Sequence, residues 1–576
     1  MLSNLLLVAL PVVATYLIVT IWQSRYKQFA HFPQPKTSLL WGHLKPLGEL
    51  MQRSAPGLHI DHILAQLAQQ AGNPPVMFLD LRPASYPMVV VCNQDVAEQV
   101  SRASKLFPWS TPKSPTLSAL VRLTGEHSIL VKQNEDWKQT RKRFNPGFAP
   151  QHLMSLLPCI LDKTDIFVQH LDNLANSGKE FPLIKFAINL TFDIIGAVVM
   201  GVDFDAQHAD SSSQGEFIRL YDELLSTYNR SGLERLPQWM FVRREWRRYR
   251  LSSKIDRLLE GMIRQKHAEG ANSSKTNASS RSVLNLSLQG NDSQTGTLSD
   301  DLVHETRDQI KTFLFAGHDT TSILLAWLFY QLARTPRALK AVRDELDDIF
   351  GPDPDPAVVR QKLLAPGGED LIHRMTYTSA VIKEILRLYP PAGTARMAPK
   401  GSNFTVQLPD GGGSFCVDGF VIYNCATLIQ RDRTVFGESA GDFVPERWLG
   451  DKSGIMSAGA GADSGRKYPA GAWRPFERGP RNCIGQDLAT IEARVIIAAV
   501  ARRYDFFKVG LGELDLDEKG QPVLNEKGQF KVKAEMYNVS IAMTFLLLLN
   551  VWVKVLTEFA QTQQVTAKPV DGMRMK

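Results

Sequence analysis

The run Phe476-Glu477-Arg478-Gly479-Pro480-Arg481-Asn482-Cys483-Ile484-Gly485 constrains this chain more than any other stretch. It sets one cysteine between two glycines, with an arginine and a phenylalanine upstream. Gly479 and Gly485 permit a tight turn that brings backbone N–H groups towards the sulfur. Thiolate, not thiol, binds metal, and a nearby cation or metal lowers the thiol's pKa. Hydrogen bonds to such a ligand tune the metal. Arg481 offers a fixed cation for an anionic cofactor group, and Phe476 can pack beside the sulfur and restrict water. A buried, inert cysteine is the alternative for any one of these residues taken alone; their joint spacing favours a metal ligand. The chain has five cysteines, Cys92, Cys159, Cys416, Cys425 and Cys483. Few, odd in number and scattered, they are no disulfide framework and suit a reducing compartment. With no C-x-x-C and no zinc spacing, a cysteine that does chemistry here does it alone.

The N-terminus limits where such a site can sit. From Leu2 to Gln23 no side chain is charged. At about 1.5 Å per residue, Leu5–Trp22 nearly spans a hydrocarbon core of about 30 Å. Arg25 and Lys27 follow the apolar run, which fits a stop-transfer flank better than a cleaved signal peptide. Residues 1–24 therefore read as a membrane anchor with the rest of the chain cytosolic. Residues 25–50 read as a stiff proline-containing linker, and 51–576 as the catalytic domain. The net charge of +7 is not gathered into one arm. That argues against nucleic acid and leaves an anionic membrane or an acidic protein open.

Helical patterns dominate from Asp136 to Arg334, and Pro87–Cys92 is a short strand-like run. Glu269–Asp300, rich in Ser, Asn, Gly and Thr, reads as a mobile surface loop. Asp301–Arg334 is a long helix capped by Ser299 or Asp300. Others precede Gly351, cover Tyr377–Leu388, and follow Cys483. The fold class is mostly α with minor β, one large α+β domain.

On the cysteine run the chain resembles the cytochrome P450 family, whose signature F-x-x-G-x-R-x-C-x-G is met at Phe476, Gly479, Arg481, Cys483 and Gly485. The resemblance extends over roughly 33–569 and implies the cytochrome P450 fold, haem b as cofactor and Cys483 as axial ligand of its iron. Three further motifs carry it. Ala316-Gly317-His318-Asp319-Thr320-Thr321 lies inside the long helix. Gly317 costs about 1 kcal/mol relative to Ala there, which points to a ligand near the backbone. Asp319 and Thr320 can relay protons to dioxygen, the alternative being a Thr320 bonded back to a carbonyl. His318 reads as a packing residue. Glu384 and Arg387 share a helix face and, with Arg447 of Pro445-Glu446-Arg447-Trp448, imply a buried structural network. Trp448 departs from the family's phenylalanine. Trp137 and Arg141, spaced i, i+4, imply a clamp on a haem propionate, and Arg396 implies a second partner.

The resemblance further implies an oxygen-inserting monooxygenase. No G-x-G-x-x-G follows a predicted strand and no flavin domain is fused. Electrons are therefore expected from NADPH through a separate NADPH–cytochrome P450 reductase at the endoplasmic reticulum membrane. Lys138, Lys142, Arg143, Arg474 and Arg478 could steer that acidic partner or form a solvated face. Arg243–Arg250 could meet headgroups or be an exposed helix face. Leu106–Leu130 with Phe107, Trp109 and Leu117, together with Phe313, Ala316 and Ala392–Ala395, implies an apolar pocket and a lipophilic small-molecule substrate. The chain looks like filamentous-fungal members that tailor polyketides or terpenoids. A haem-thiolate isomerase or dehydratase, and a membrane-tethered haem protein without catalysis, are the competing readings. Residues 538–563 interrupt a phrase common at the family's C-terminus. A translated intron or mispredicted exon, a second membrane element and a peripheral insertion are the alternatives. A real insert would displace a hairpin beside the pocket.

Overall fold

The computed structural model describes residues 2–208, 214–228, 242–272, 281–289, 298–450, 468–540 and 566–576. Its axis is the helix Asp300–Arg334, one residue longer than the predicted Asp301–Arg334. Ser299 caps it, accepting a hydrogen bond from the Leu302 N–H at 3.3 Å, and Asp300 and Asp301 face its positive N-terminal end. From Val303 to Leu332 most of its side chains are buried, so it is enclosed rather than amphipathic.

Helix Leu183–Met200 lies along it. Its length and composition would let it cross a membrane, yet 72% of it is buried within the molecule, so it is a core helix. Gly317 makes the approach possible: a Cβ there would sit 2.7 Å from Cγ1 of Ile195. The glycine thus serves the packing of two helices, and it also lines a cavity, where a ligand can approach the backbone. Helices Thr376–Leu388 and Gln486–Val500 also pack on the axis.

A four-stranded sheet stands beside this bundle in the order Val76–Leu79, Met88–Val91, Val421–Asn424, Ala395–Met397. The outer pairs are antiparallel, and Met88–Val91 runs parallel to Val421–Asn424. The continuous apolar run Met88-Val89-Val90-Val91 is buried on both faces, as a covered parallel pair requires. One face meets helix Ile60–Gln70 and the other the rings of Phe29, Phe32 and Phe420.

Those rings correct the reading of residues 25–50 as a spacer. The apolar helix Leu2–Trp22, with Pro11 inside it, leaves the side chains of residues 11–20 exposed. It leads straight into a single π-helical turn, Gln23–Lys27. Arg25, expected as a membrane flank, is buried in the body, 2.8 Å from the Asp80 carboxylate. It also donates to the carbonyls of Leu40 and Arg82 at 3.0 and 2.8 Å. Apolar Phe29, Phe32, Leu44 and Leu47 drive the segment onto the sheet.

The loop expected over Glu269–Asp300 is also partly folded. Helix Val242–Asn272 reaches into it, and Ser282 caps a helix Val283–Leu288 that buries Val283, Leu284 and Leu288. The apolar residues of that window are concentrated in one short run, enough for one buried helix face. Residues 273–280 and 290–297 lie outside the described residues.

The C-terminal expectation changes most. Asn538–Ser540 and Ala567–Pro569 form an antiparallel pair with Ser540 opposite Ala567. The Asn538 side chain accepts from the Trp327 indole at 2.8 Å, and its carbonyl accepts from the His59 N–H at 2.9 Å. The hairpin is therefore present, not displaced, and residues 538–540 belong to the body. Residues 541–565, most of the expected insert, lie outside the described residues.

Candidate active site

Between the central helix and the cysteine loop lies a cavity of about 260 Å³. Its walls include Phe148, Ile195, Phe313, Ala316, Thr320 and Cys483. The Cys483 N–H donates to the Phe476 carbonyl at 2.8 Å, closing the loop, and the thiol opens into the cavity. Burial pushes this thiol above its ordinary pKa, while the Gly485 N–H and the cations Arg141 and Lys113 pull it down. A metal in contact with the sulfur lowers it further. Gly479 has φ +76°, and a Cβ there would run into the Ser101 carbonyl, so only glycine fits this turn.

The three arginines expected around a cofactor are placed differently. Arg481 lines the cavity, donates to Gln133 Oε1 at 2.7 Å and to the carbonyls of Ile129 and Lys132, and stacks over Trp137 at 5.0 Å. Arg141 is directed at the cysteine loop, donating to the Asn482 carbonyl at 2.7 Å and to Asn482 Oδ1 at 3.2 Å; its Nε reaches Asn145. Arg396 stands fully buried behind the wall. Its Nη1 donates to Ser110 and Thr111, while Nε and Nη2 have no partner. Two residues missed in the sequence complete this wall: Lys113, paired with Arg396 through a β-bridge, and Glu477.

On the central helix the Thr320 hydroxyl faces the cavity while donating to the Ala316 carbonyl at 2.8 Å. Asp319 is buried; Thr566 donates to its Oδ2, and Lys568 is ion-paired with its Oδ1. Burial opposes its ionisation, yet Lys568, His318 and these hydrogen bonds hold its pKa below the usual carboxylate value. His318 packs against Phe192 and Tyr221 and bonds to the Leu314 carbonyl. Glu492, also missed, lines the cavity with one carboxylate oxygen unpartnered; burial pushes its pKa up to about 8, against a hydrogen bond from Thr321.

Glu384 is fully buried. Arg387 grips it through Nε at 2.9 Å and Nη2 at 2.8 Å, and Arg447 Nε lies 3.0 Å away. The Val444 N–H and the Trp448 indole also donate to it, both at 2.9 Å. Tryptophan in place of the family's phenylalanine adds a donor the network uses. Arg387 then reaches the carbonyls of Gln430, Ala440 and Asp442, tying the helix to the segment before the cysteine loop.

A family model described as cytochrome P450 matches residues 41–534. The chain belongs to the cytochrome P450 family. This P450 is 34% identical over 438 residues to cytochrome P450 monooxygenase acrF of Aspergillus aculeatus, covering 74% of this chain and 83% of that protein. It is 28% identical over 494 residues to cytochrome P450 monooxygenase polC of Polytolypa hystricis, covering 85% and 84%. It is 26% identical over 406 residues to alkane hydroxylase MAH1 of Arabidopsis thaliana, covering 69% and 74%. It is a monooxygenase by family, with haem iron as the cofactor, and it uses a redox partner and a small-molecule substrate. The residues fit that group: a thiol open to the cavity, Lys113 and Arg481 on its wall, and two buried donors of Arg396 awaiting an anion.

Other expectations shift with the geometry. Phe107 packs on Phe404 in the sheet layer and Trp109 on Trp137; neither they nor Leu117 line the cavity. Ile129, Leu130, Phe148 and Ile195 take that place. Arg474 is buried, donating to Ser101 Oγ at 3.0 Å, and is no surface cation. Arg143 and Arg478 are held by Glu305 and Glu98; Lys138 and Lys142 are exposed. In the 243–250 cluster Arg244 and Arg248 are buried, whereas Trp246 and Tyr249 are exposed.

Proposed function

We propose that this P450 hydroxylates or otherwise oxidises a lipophilic small molecule, with electrons from NADPH delivered by a separate reductase. We further propose that helix Leu2–Trp22 anchors it to the endoplasmic reticulum membrane, the catalytic domain facing the cytosol. The observation that carries the substrate reading is the wall above Cys483. Phe148, Ile195, Phe313, Ala316 and Leu324 offer it nothing polar. The alkane hydroxylase among the relatives supports an apolar substrate, and the two fungal relatives are named as monooxygenases; we extend the proposal to tailoring of a fungal polyketide or terpenoid.

Haem bound through Cys483 supplies the oxygen-activating chemistry, which a thiolate ligand favours. Cys483 would hold the group, Lys113 and Arg481 would meet its anionic substituents, and Arg141 braces the cysteine loop. The apolar wall orients the substrate and excludes water. Thr320 presents a hydroxyl to the reacting centre, and Asp319 beside it exchanges protons through that hydroxyl. Glu384, Arg387 and Arg447 fix the scaffold beneath.

Reconstitution with NADPH, a P450 reductase and candidate lipophilic substrates tests this. Oxygen uptake and product should both require reductase. Product that persists without electrons would instead establish an isomerase or dehydratase.

A further inference from the structure

Glu477 sits where a charged residue is costly. It follows Phe476 in the cysteine loop, lines the cavity, and has φ +56°, a conformation that non-glycine residues seldom adopt. Glycine would relieve that backbone, so the side chain is kept for what it does. Its carboxylate is held from three directions. The Thr394 hydroxyl donates to Oε1 at 3.1 Å, the Ser101 hydroxyl donates to Oε2 at 3.3 Å, and buried Arg474 lies 3.8 Å from Oε2. Burial opposes its ionisation, but Arg396, Arg474 and Lys113 together hold its pKa below the ordinary value. It is a fixed negative charge.

The charges around it are unbalanced. Lys113, Arg141 and Arg481 line the cavity, and Arg396 stands behind with two unpartnered donors; burial lowers the Lys113 pKa well below its ordinary value, and the Glu477 charge opposes that fall. Among the charged side chains lining the cavity, the other carboxylate is Glu492, which the raised pKa keeps protonated at neutral pH and which contacts Thr321 of the central helix. Glu477 is therefore the one ionised carboxylate on the cavity wall among the described residues, set among the cations that would meet an anionic cofactor edge.

We propose that Glu477 is the counter-charge of this cradle: it partly neutralises Lys113 and Arg396, lowers the reduction potential of the cofactor's iron, and weakens the hold on the cofactor's anionic edge. In a low-dielectric interior a fixed charge close to a redox centre acts strongly on its equilibrium. Glu477 touches neither substrate nor reacting atoms; it is a positioning residue acting through Lys113 and Arg396. The inference rests on the haem-thiolate reading above.

The test uses the full-length haem-loaded protein and three variants, read by equilibrium redox titration and by transfer of haem to an apo-globin acceptor. Glu477→Gln keeps an amide oxygen for one of the Thr394 and Ser101 hydroxyls, offers its NH2 to the other, which can accept, and removes the charge. It should favour the reduced state about tenfold, which is 59 mV for a one-electron couple, and slow haem loss several-fold. Lys113→Met should shift the equilibrium the opposite way, and the double variant should return near the parent. These opposed shifts separate electrostatics from structural damage, which would move both single variants in one direction. Changes below twofold in Glu477→Gln, or shifts of the same sign in both single variants, overturn the proposal. Should the parent's reduced carbonyl complex lack the thiolate-type Soret band, the haem-thiolate reading itself fails, a distinguishable outcome.

Discussion

Glu384 and Asp319 are both buried carboxylates matched to cations, on two sides of one cavity. Glu384 receives five donors from Arg387, Arg447, Val444 and Trp448, and its pKa is lowered against burial by the two arginines. Its two arginine partners are buried with it. Asp319 has two side-chain partners, Thr566 just before the strand Ala567–Pro569 and the partly exposed Lys568 within it. The first carboxylate is locked because its task is geometry. The second is held by a strand that begins beyond residues 541–565, through a lysine that reaches solvent, an arrangement suited to a group that must exchange protons. A buried ion network and a proton donor need similar residues, and what separates them is how many partners must let go.

The largest effect is expected where most partners are lost. Glu384→Gln leaves Arg387 and Arg447 without a counter-charge and should cost about 3–5 kcal/mol of stability, read by denaturant unfolding and by the fraction recovered with haem. A change below 1 kcal/mol would put Glu384 in the same class as Asp319. Next, Asp319→Asn should lower product formation about 100-fold while leaving the haem spectrum and unfolding midpoint near the parent's. Lys568→Met should show the same pattern at about tenfold. Loss of haem in either variant would make that carboxylate structural too.

A third carboxyl, Glu492, has no cation acting on it among the described residues, and its effect is confined to the pH profile. Its folded pKa of about 8 exceeds its ordinary 4.5 because burial disfavours the charged form. The folded state therefore holds a proton that the unfolded state releases. Its stabilising contribution is complete below the ordinary value and falls as pH rises towards 8, by about 1.4 kcal/mol per pH unit. Glu492→Gln should flatten that part of the stability–pH profile between pH 5 and 8. An unchanged slope would show that the carboxyl ionises freely.

The same contrast governs what could be read before folding. The cysteine loop, Glu384–Arg387 and the long helix were legible because their partners lie within one turn or one helix face. Spacing placed Trp137 and Arg141 on one face, but not what Arg141 would grip, since Asn482 arrives from far along the chain. Lys113, Glu477 and Glu492 carried no periodic signal; each is a single charge whose meaning depends on the wall it joins. The cost of Gly317 in a helix points to the cavity it lines, but its second role, room for Ile195, depends on a residue more than a hundred positions away. The hairpin at Asn538–Ser540 was hidden by the unusual sequence that follows it.

Cys483→Ser tests the central claim most directly. The parent protein, reduced and exposed to carbon monoxide, should show the Soret band typical of a thiolate ligand, and the serine variant should lose it. A variant that retains the band would show that Cys483 is not the ligand of the haem iron.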